Sequence, residues 1–280
     1  MSLSHSDSAS SRSLYQNQNA LKVSNLSVSV GSKVILNDVS FECDAGAVAL
    51  LGRNGAGKTT LIKALCGLCR TSGEIAVISG GTEIRIDNLS PAKRASYTAY
   101  LPQTAPKAVH LSAAEFVAMG KVRYTGIFGT PGGKDLQNAC EELEKLGAGH
   151  LADRFCDTLS GGEQKAVSLA RANLQGAVWT LLDEPYAGLD FERQHAFSVM
   201  LMKNAAENKE KGILVSVHDP SAAMRYFDRI IVLDGGKLAA VLEKDRPDFE
   251  EKYLDVLRRL YGKNVEFADT SIGKTVIWRD

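Results

Sequence analysis

The chain has 280 residues, 44% hydrophobic and 24% charged, enough apolar material for a sizeable core in one large or two small domains. Lysine plus arginine balance aspartate plus glutamate at 33 each, so the basic footprint of a nucleic-acid binder is absent. No apolar run reaches the roughly 18–20 residues of a membrane span, so work at a membrane would require docking onto another subunit.

Residues 1–20 are Ser- and Asn-rich, without apolar periodicity or the apolar middle of a signal peptide. They read as a disordered extension. Partial alternation of Val23, Leu26, Val28 and Val30 predicts a strand over 21–30, and 34–36 and 39–41 predict further short strands. Residues 47–51 are an apolar run bounded by Gly46 and Gly52, as in a buried strand, and 61–66 are good helix material. A strand-like run follows over 73–86, with Gly80-Gly81 as a hairpin turn, and another over 97–101.

From Ser112 the character is helical. Helices are expected over 113–120, 135–146 and 163–174, with a Gly-rich break at 126–133. The remaining elements are a buried strand over 178–182, a helix over 191–208, a strand over 213–217, a helix over 221–227 and a strand over 229–233. Strands alternating with helices imply a mostly parallel α/β core. The five cysteines are scattered and odd in number, which argues against a disulfide framework and for a reducing compartment. Cys66 and Cys69, three apart, are expected on one face of the helix after Gly52–Thr60, as buried thiols rather than a redox or zinc pair.

Gly52-Arg53-Asn54-Gly55-Ala56-Gly57-Lys58-Thr59-Thr60 carries the phosphate-loop pattern between a strand and a helix. In that setting the loop N–H groups and the helix N-terminus face a run of phosphates. Lys58 would reach the β- and γ-phosphates and the Thr59 hydroxyl would coordinate Mg²⁺. Asp183 closes an apolar strand, where a nucleotide site expects a Mg²⁺ ligand, and Glu184 can orient and polarise an attacking water. Leu159-Ser160-Gly161-Gly162-Glu163 is a second phosphate-binding element: adjacent glycines, a hydroxyl and a helix start. One chain already has its own phosphate loop, so this element needs another nucleotide, as in a head-to-tail pair of chains.

These residues carry a resemblance. From about Leu21 onward the chain resembles the ATP-binding subunits of ABC transporters. The phosphate loop, the signature at 159–163, the second acidic motif at 181–185 and the Gly188-Leu189-Asp190 loop match in order and spacing. Gln103 stands at the family's glutamine loop and His218 at its switch histidine. The resemblance implies a P-loop NTPase core with a mostly parallel sheet, an antiparallel β subdomain and an inserted helical subdomain. It implies one ATPase domain over 21–280, with the helical insert at 104–158 and a C-terminal tail at 241–280. It also implies that Gln103 contacts Mg²⁺ and water, that His218 holds the γ-phosphate and Glu184, and that Asp190 crosses a homodimer interface.

Ala223-Met224-Arg225-Tyr226-Phe227-Asp228-Arg229, Ala99–Gln103 and the tail at 257–262, followed by a strand-turn-strand to Ile277, resemble siderophore, haem and cobalamin importer ATPases. That likeness implies ATP and Mg²⁺ as ligands, an integral membrane permease docked on the helical insert, an extracytoplasmic solute-binding protein, and a peripheral place on the cytoplasmic face of the inner membrane. Three departures stand out. Val30 occupies the usual place of an adenine-stacking ring, for which Tyr15 is a candidate replacement. Gln164-Lys165-Ala166 replaces a more basic stretch, and Tyr186 follows Pro185 where a small residue is common. Two other classes compete. A soluble ABC ATPase of iron–sulfur assembly is disfavoured by the importer-like tail. A nucleic-acid ATPase is disfavoured by the single ATPase core, the lack of a heptad insertion and the zero net charge.

Overall fold

The computed structural model describes residues 19–103, 110–122, 131–271 and 273–279. At its centre is a six-stranded sheet in the order β10-β9-β3-β8-β7-β6. The strands are β3 (Gly46–Leu51), β6 (Thr98–Leu101), β7 (Trp179–Leu182), β8 (Gly212–Val217), β9 (Arg229–Asp234) and β10 (Lys237–Glu243). All pairings are parallel except β9 with β10. The parallel strands are apolar runs because both sheet faces are covered.

Side-chain alternation sorts β3 between two cores. Ala47, Ala49 and Leu51 join a cluster with the helices, among them Val167, Leu169, Phe197 and Tyr253. Val48 and Leu50 join the other, with Leu21, Val23, Leu36, Leu61 and Ile75. The second cluster lies under a four-stranded antiparallel sheet, β2-β1-β4-β5, formed by β1 (Ala20–Val30), β2 (Lys33–Asp44), β4 (Ser72–Ser79) and β5 (Thr82–Arg85).

The two short strands expected at 34–36 and 39–41 are one continuous strand, β2. The polar pair Asn37-Asp38 interrupts the apolar alternation and shifts the pairing register, but does not end the strand. Register shifts occur between Val23 and Val28 of β1. Asn25 and Asp38 take positive φ values of 51° and 55°, and the Asn25 amide donates to the Asp38 carboxylate at 2.9 Å. The polar residues therefore pin a bulge instead of ending a strand. Of the extension expected over 1–20, Ala20 is already inside β1, and Asn19 donates to the Glu210 carbonyl at 2.6 Å. Residues 1–18, Tyr15 among them, lie outside the described residues.

Between β6 and β7 the described chain is helical: Ala113–Ala118, a 3₁₀ turn at Met119–Lys121, Gly133–Lys145 and Gly161–Gln175. Most of the Gly-rich break, and residues 104–109 of the expected insert, lie outside the described residues. The helix after the phosphate loop ends at Leu65, so Cys66 caps it and Cys69 lies beyond it. The two cysteines therefore do not share a helix face. No metal-binding cluster of His, Cys, Asp or Glu is found among the described residues.

In the C-terminal region the expected strand-turn-strand is present, preceded by a helix that the sequence reading did not assign. Helix Phe249–Tyr261 buries Phe249, Tyr253, Val256, Leu257 and Leu260 on one face, and β11 (Val265–Thr270) and β12 (Gly273–Trp278) form a hairpin. This unit grips the segment after β8. The Tyr253 hydroxyl donates to the Pro220 carbonyl at 2.8 Å, and the Val276 N–H donates to the Ser221 hydroxyl at 3.0 Å.

Candidate active site

Strand β3 runs into the loop 52–57, and helix Lys58–Leu65 starts from Gly57 at φ 102°. That left-handed conformation favours glycine, and a Cβ on Gly57 would lie 2.6 Å from a Leu36 methyl. Lys58 is 4% exposed, and its ammonium donates to the Gly52 carbonyl at 2.7 Å and the Arg53 carbonyl at 3.3 Å. Burial pulls its pKa below the usual lysine range, and the carboxylates of Glu184 and Asp183 partly restore it.

Parallel pairing of β3, β8 and β7 brings their C-terminal ends to one edge of the sheet, where open α/β sheets place ligands. Asp183, 2% exposed just past β7, accepts a hydrogen bond from the Thr59 hydroxyl at 3.0 Å. Glu184 follows at φ 44°, a left-handed conformation rare for a glutamate. Such strain costs on the order of 1–3 kcal/mol and persists where surrounding contacts over-determine it. Here the Glu184 N–H donates to the Ser216 hydroxyl at 2.6 Å, and that hydroxyl donates to Asp183 Oδ1 at 3.2 Å.

The Glu184 carboxylate is held at both oxygens. His218 Nε2 lies 2.8 Å from Oε1 and Gln103 Nε2 donates to Oε2 at 2.8 Å. His218 Nδ1 lies 3.3 Å from the Lys58 ammonium, which can only donate. Nδ1 is therefore the acceptor and Nε2 carries the proton given to Glu184. Gln103, Glu184, His218 and Lys58, from four separate segments, thus form one hydrogen-bonded row.

A cavity of about 600 Å³ lies over the loop, lined by residues 52–56, His218, Asp234, Gly235 and Tyr261. Arg53, Asn54 and Gly55 are exposed there, while Thr59 and Thr60 are half-buried at the start of the helix. Ser160, Gly161 and Gly162 do not line this cavity, nor does Asp190. Ser160 instead caps its own helix. Its N–H donates to Glu163 Oε2 at 2.6 Å and its hydroxyl accepts from the Glu163 N–H at 3.5 Å, a capping box. Asp190 caps helix Phe191–Glu207 by accepting from the Arg193 N–H at 2.9 Å.

Lys165, also on the signature helix, is 6% exposed and donates to the Gln103 main-chain carbonyl. Burial lowers its pKa against the pull of Asp183. Val30 is 65% exposed at the β1–β2 turn, and Val34, across the turn, is exposed too. Tyr186, after Pro185, packs edge-on against Phe197.

The sequence reading misses Ser216, Asp234 and Tyr261 as site residues. Ser216 had a signal, being the one polar side chain in the apolar run 213–217. Asp234 and Tyr261 had none, because the fold brings them to the loop from distant segments.

A sequence profile described as ABC transporter matches residues 36–187. An ATP-binding protein of Helicobacter pylori named for iron chelatin transport is 36% identical over 78% of this chain and 85% of its own. The hemin import ATP-binding protein HmuV of Nocardia farcinica is 37% identical over 84% of this chain and 78% of its own. Among solved structures, the ADP conformation of an ATP-binding cassette of an ABC transporter superposes with a TM-score of 0.70 at 25% identity, covering 85% of this chain and 99% of that one.

Proposed function

Because the chain belongs to the ABC transporter family and is an ATP-binding, ATP-hydrolysing subunit, we propose that it powers an importer for an iron–siderophore complex, haem or cobalamin. The observation that carries the hydrolytic part is Glu184, strained at φ 44° and held at both carboxylate oxygens by His218 and Gln103. A water placed beside this carboxylate would attack the γ-phosphorus and pass a proton to Glu184. The bond to the β,γ-bridging oxygen would break, and ADP and phosphate would leave.

The phosphates would lie along Gly52–Thr60, with Lys58 turning from the loop carbonyls to the β- and γ-oxygens. The hydroxyl of Thr59, the carboxylate of Asp183 and the amide oxygen of Gln103 are hard donors of the kind Mg²⁺ takes. Thr59 and Asp183 already touch at 3.0 Å, so the residues fit the ion. When bound, Mg²⁺ would neutralise charge on the β- and γ-phosphates.

The signature residues Ser160, Gly161 and Gly162 would meet the nucleotide of a second copy, with Asp190 at the shared interface. Support comes from the chain's having its own phosphate loop at 52–60, so that a second phosphate-binding element calls for a second nucleotide. An integral membrane permease would dock on the helical segment 104–158, an extracytoplasmic binding protein would deliver solute to it, and the subunit would sit peripherally on the cytoplasmic face of the inner membrane. Support for the solute class is the naming of the relatives for iron chelatin and hemin. No helix among the described residues is long and apolar enough to cross a membrane.

The test is E184Q. This variant should bind ATP while hydrolysing it at least about 10²-fold more slowly, the effect of losing one positioned transition-state group. Turnover near that of the unsubstituted protein would remove Glu184 from the role of base.

A further inference from the structure

We propose that Lys165 is a positioning residue that ties the hydrolytic carboxylate of each chain to its own signature helix. The inference rests on the ATPase reading above. Lys165 lies in the second turn of helix Gly161–Gln175, 6% exposed, among buried Ala166, Val167 and Leu169. A lysine so placed is costly unless its ammonium is satisfied. The ammonium reaches the main-chain carbonyl of Gln103.

Gln103 is therefore held at two ends. Lys165 holds its backbone, and its side-chain amide donates to Glu184 Oε2 at 2.8 Å. Glu184 in turn meets His218 at 2.8 Å, and His218 lies 3.3 Å from Lys58. The row that starts at the phosphate-loop lysine thus ends on the helix whose first residues are Gly161 and Gly162. That helix N-terminus is the part of the chain free to meet a nucleotide held by another copy. A displacement there is carried by a rigid helix to Lys165, and by Lys165 to the residue that aims Glu184. Each chain would then sense engagement of its signature and adjust its own hydrolytic site.

The experiment compares wild type, K165M, Q103A and the double variant as full-length purified chains, reading ATP turnover against ATP concentration, ATP affinity and thermal unfolding. K165M keeps the apolar stem and removes the donor. It should lower kcat about 10- to 100-fold, the range expected when a positioned group is misplaced by about 1 Å, with KM and ATP affinity little changed. The double variant should be no slower than Q103A, because Lys165 acts through the Gln103 side chain. The Hill coefficient for ATP should fall toward 1 in K165M. If K165M unfolds, K165Q takes its place in the cycle.

K165M turnover equal to wild type would overturn the inference, as would a double variant whose loss is the product of the two single losses, which marks independent packing effects. A wild type without ATP turnover would overturn the parent reading and this inference with it.

Discussion

Ser216 is the residue on which two parts of the site depend together. Its hydroxyl accepts from the strained Glu184 N–H and donates to Asp183, and the residue is 1% exposed. Replacing it by alanine leaves a buried N–H without its acceptor and leaves Asp183 Oδ1 with the Thr59 hydroxyl but without its second donor. An unmet buried donor costs about 1–3 kcal/mol. S216A should lower the unfolding free energy by that amount, read as a lower urea midpoint with an unchanged slope, and should slow ATP turnover because the Glu184 backbone can relax from φ 44°. An unchanged midpoint would mean that water replaces the hydroxyl. At this scale the sequence is legible where one stretch supplies its own geometry. Residues 52–60 contain the turn glycines, the lysine and the hydroxyl together, so the phosphate loop reads directly. Ser216 does not, because its partners lie 32 and 33 residues away.

The signature helix shows how an element can carry structure and function in the same residues. Ser160 and Glu163 start the helix by a capping box, and Arg154 Nη1 adds a contact to Glu163 Oε1 at 2.7 Å. The Ser160 N–H and hydroxyl, with help from Arg154, hold the Glu163 carboxyl below its ordinary range. A carboxylate with a depressed folded-state pKa contributes its full stability above the unfolded value and loses it as pH falls through the folded value. The helix start should therefore weaken on acidification below about pH 4.5, and E163Q should show a smaller fall in Tm between about pH 6 and about pH 3 than the unsubstituted chain. Equal falls would show that the cap does not titrate. Element limits proved readable where caps and glycines mark them, as with Gly80-Gly81, which turns β4 into β5. Helix Phe249–Tyr261 had an apolar stripe at helical spacing and a start signal in Asp248 with Glu250 and Glu251 in its first turn, which the sequence reading passed over, although Asp248 makes no side-chain cap in the fold.

At the scale of the molecule, the strand order β10-β9-β3-β8-β7-β6 could not be read from the chain, because it depends on pairings between distant segments. That order gathers Thr59, Gln103, Asp183, Glu184 and His218 at one edge, while Ser160 and Gly162 stay off the cavity over their own loop. On the function proposed above, a single chain would present half of each of two phosphate sites, and closure would require a second copy. Moving such a pair from about 1:99 to about 99:1 closed needs roughly 5.5 kcal/mol of differential affinity. Two multiply charged nucleotides, each contacted from both chains as proposed, would supply that only while the γ-phosphate remains. E184Q with ATP and Mg²⁺ should therefore run as a dimer in size exclusion with light scattering, and with ADP as a monomer. K58A should stay monomeric with either nucleotide, because the loop that anchors the phosphates is disabled. Adding S160A to E184Q should weaken the ATP-dependent dimer without weakening ATP binding to the monomer, since the Ser160 hydroxyl caps its own helix and does not line the cavity over its own loop. A dimer of the same size in ADP, or one insensitive to Ser160, would place the contact between copies elsewhere on the surface.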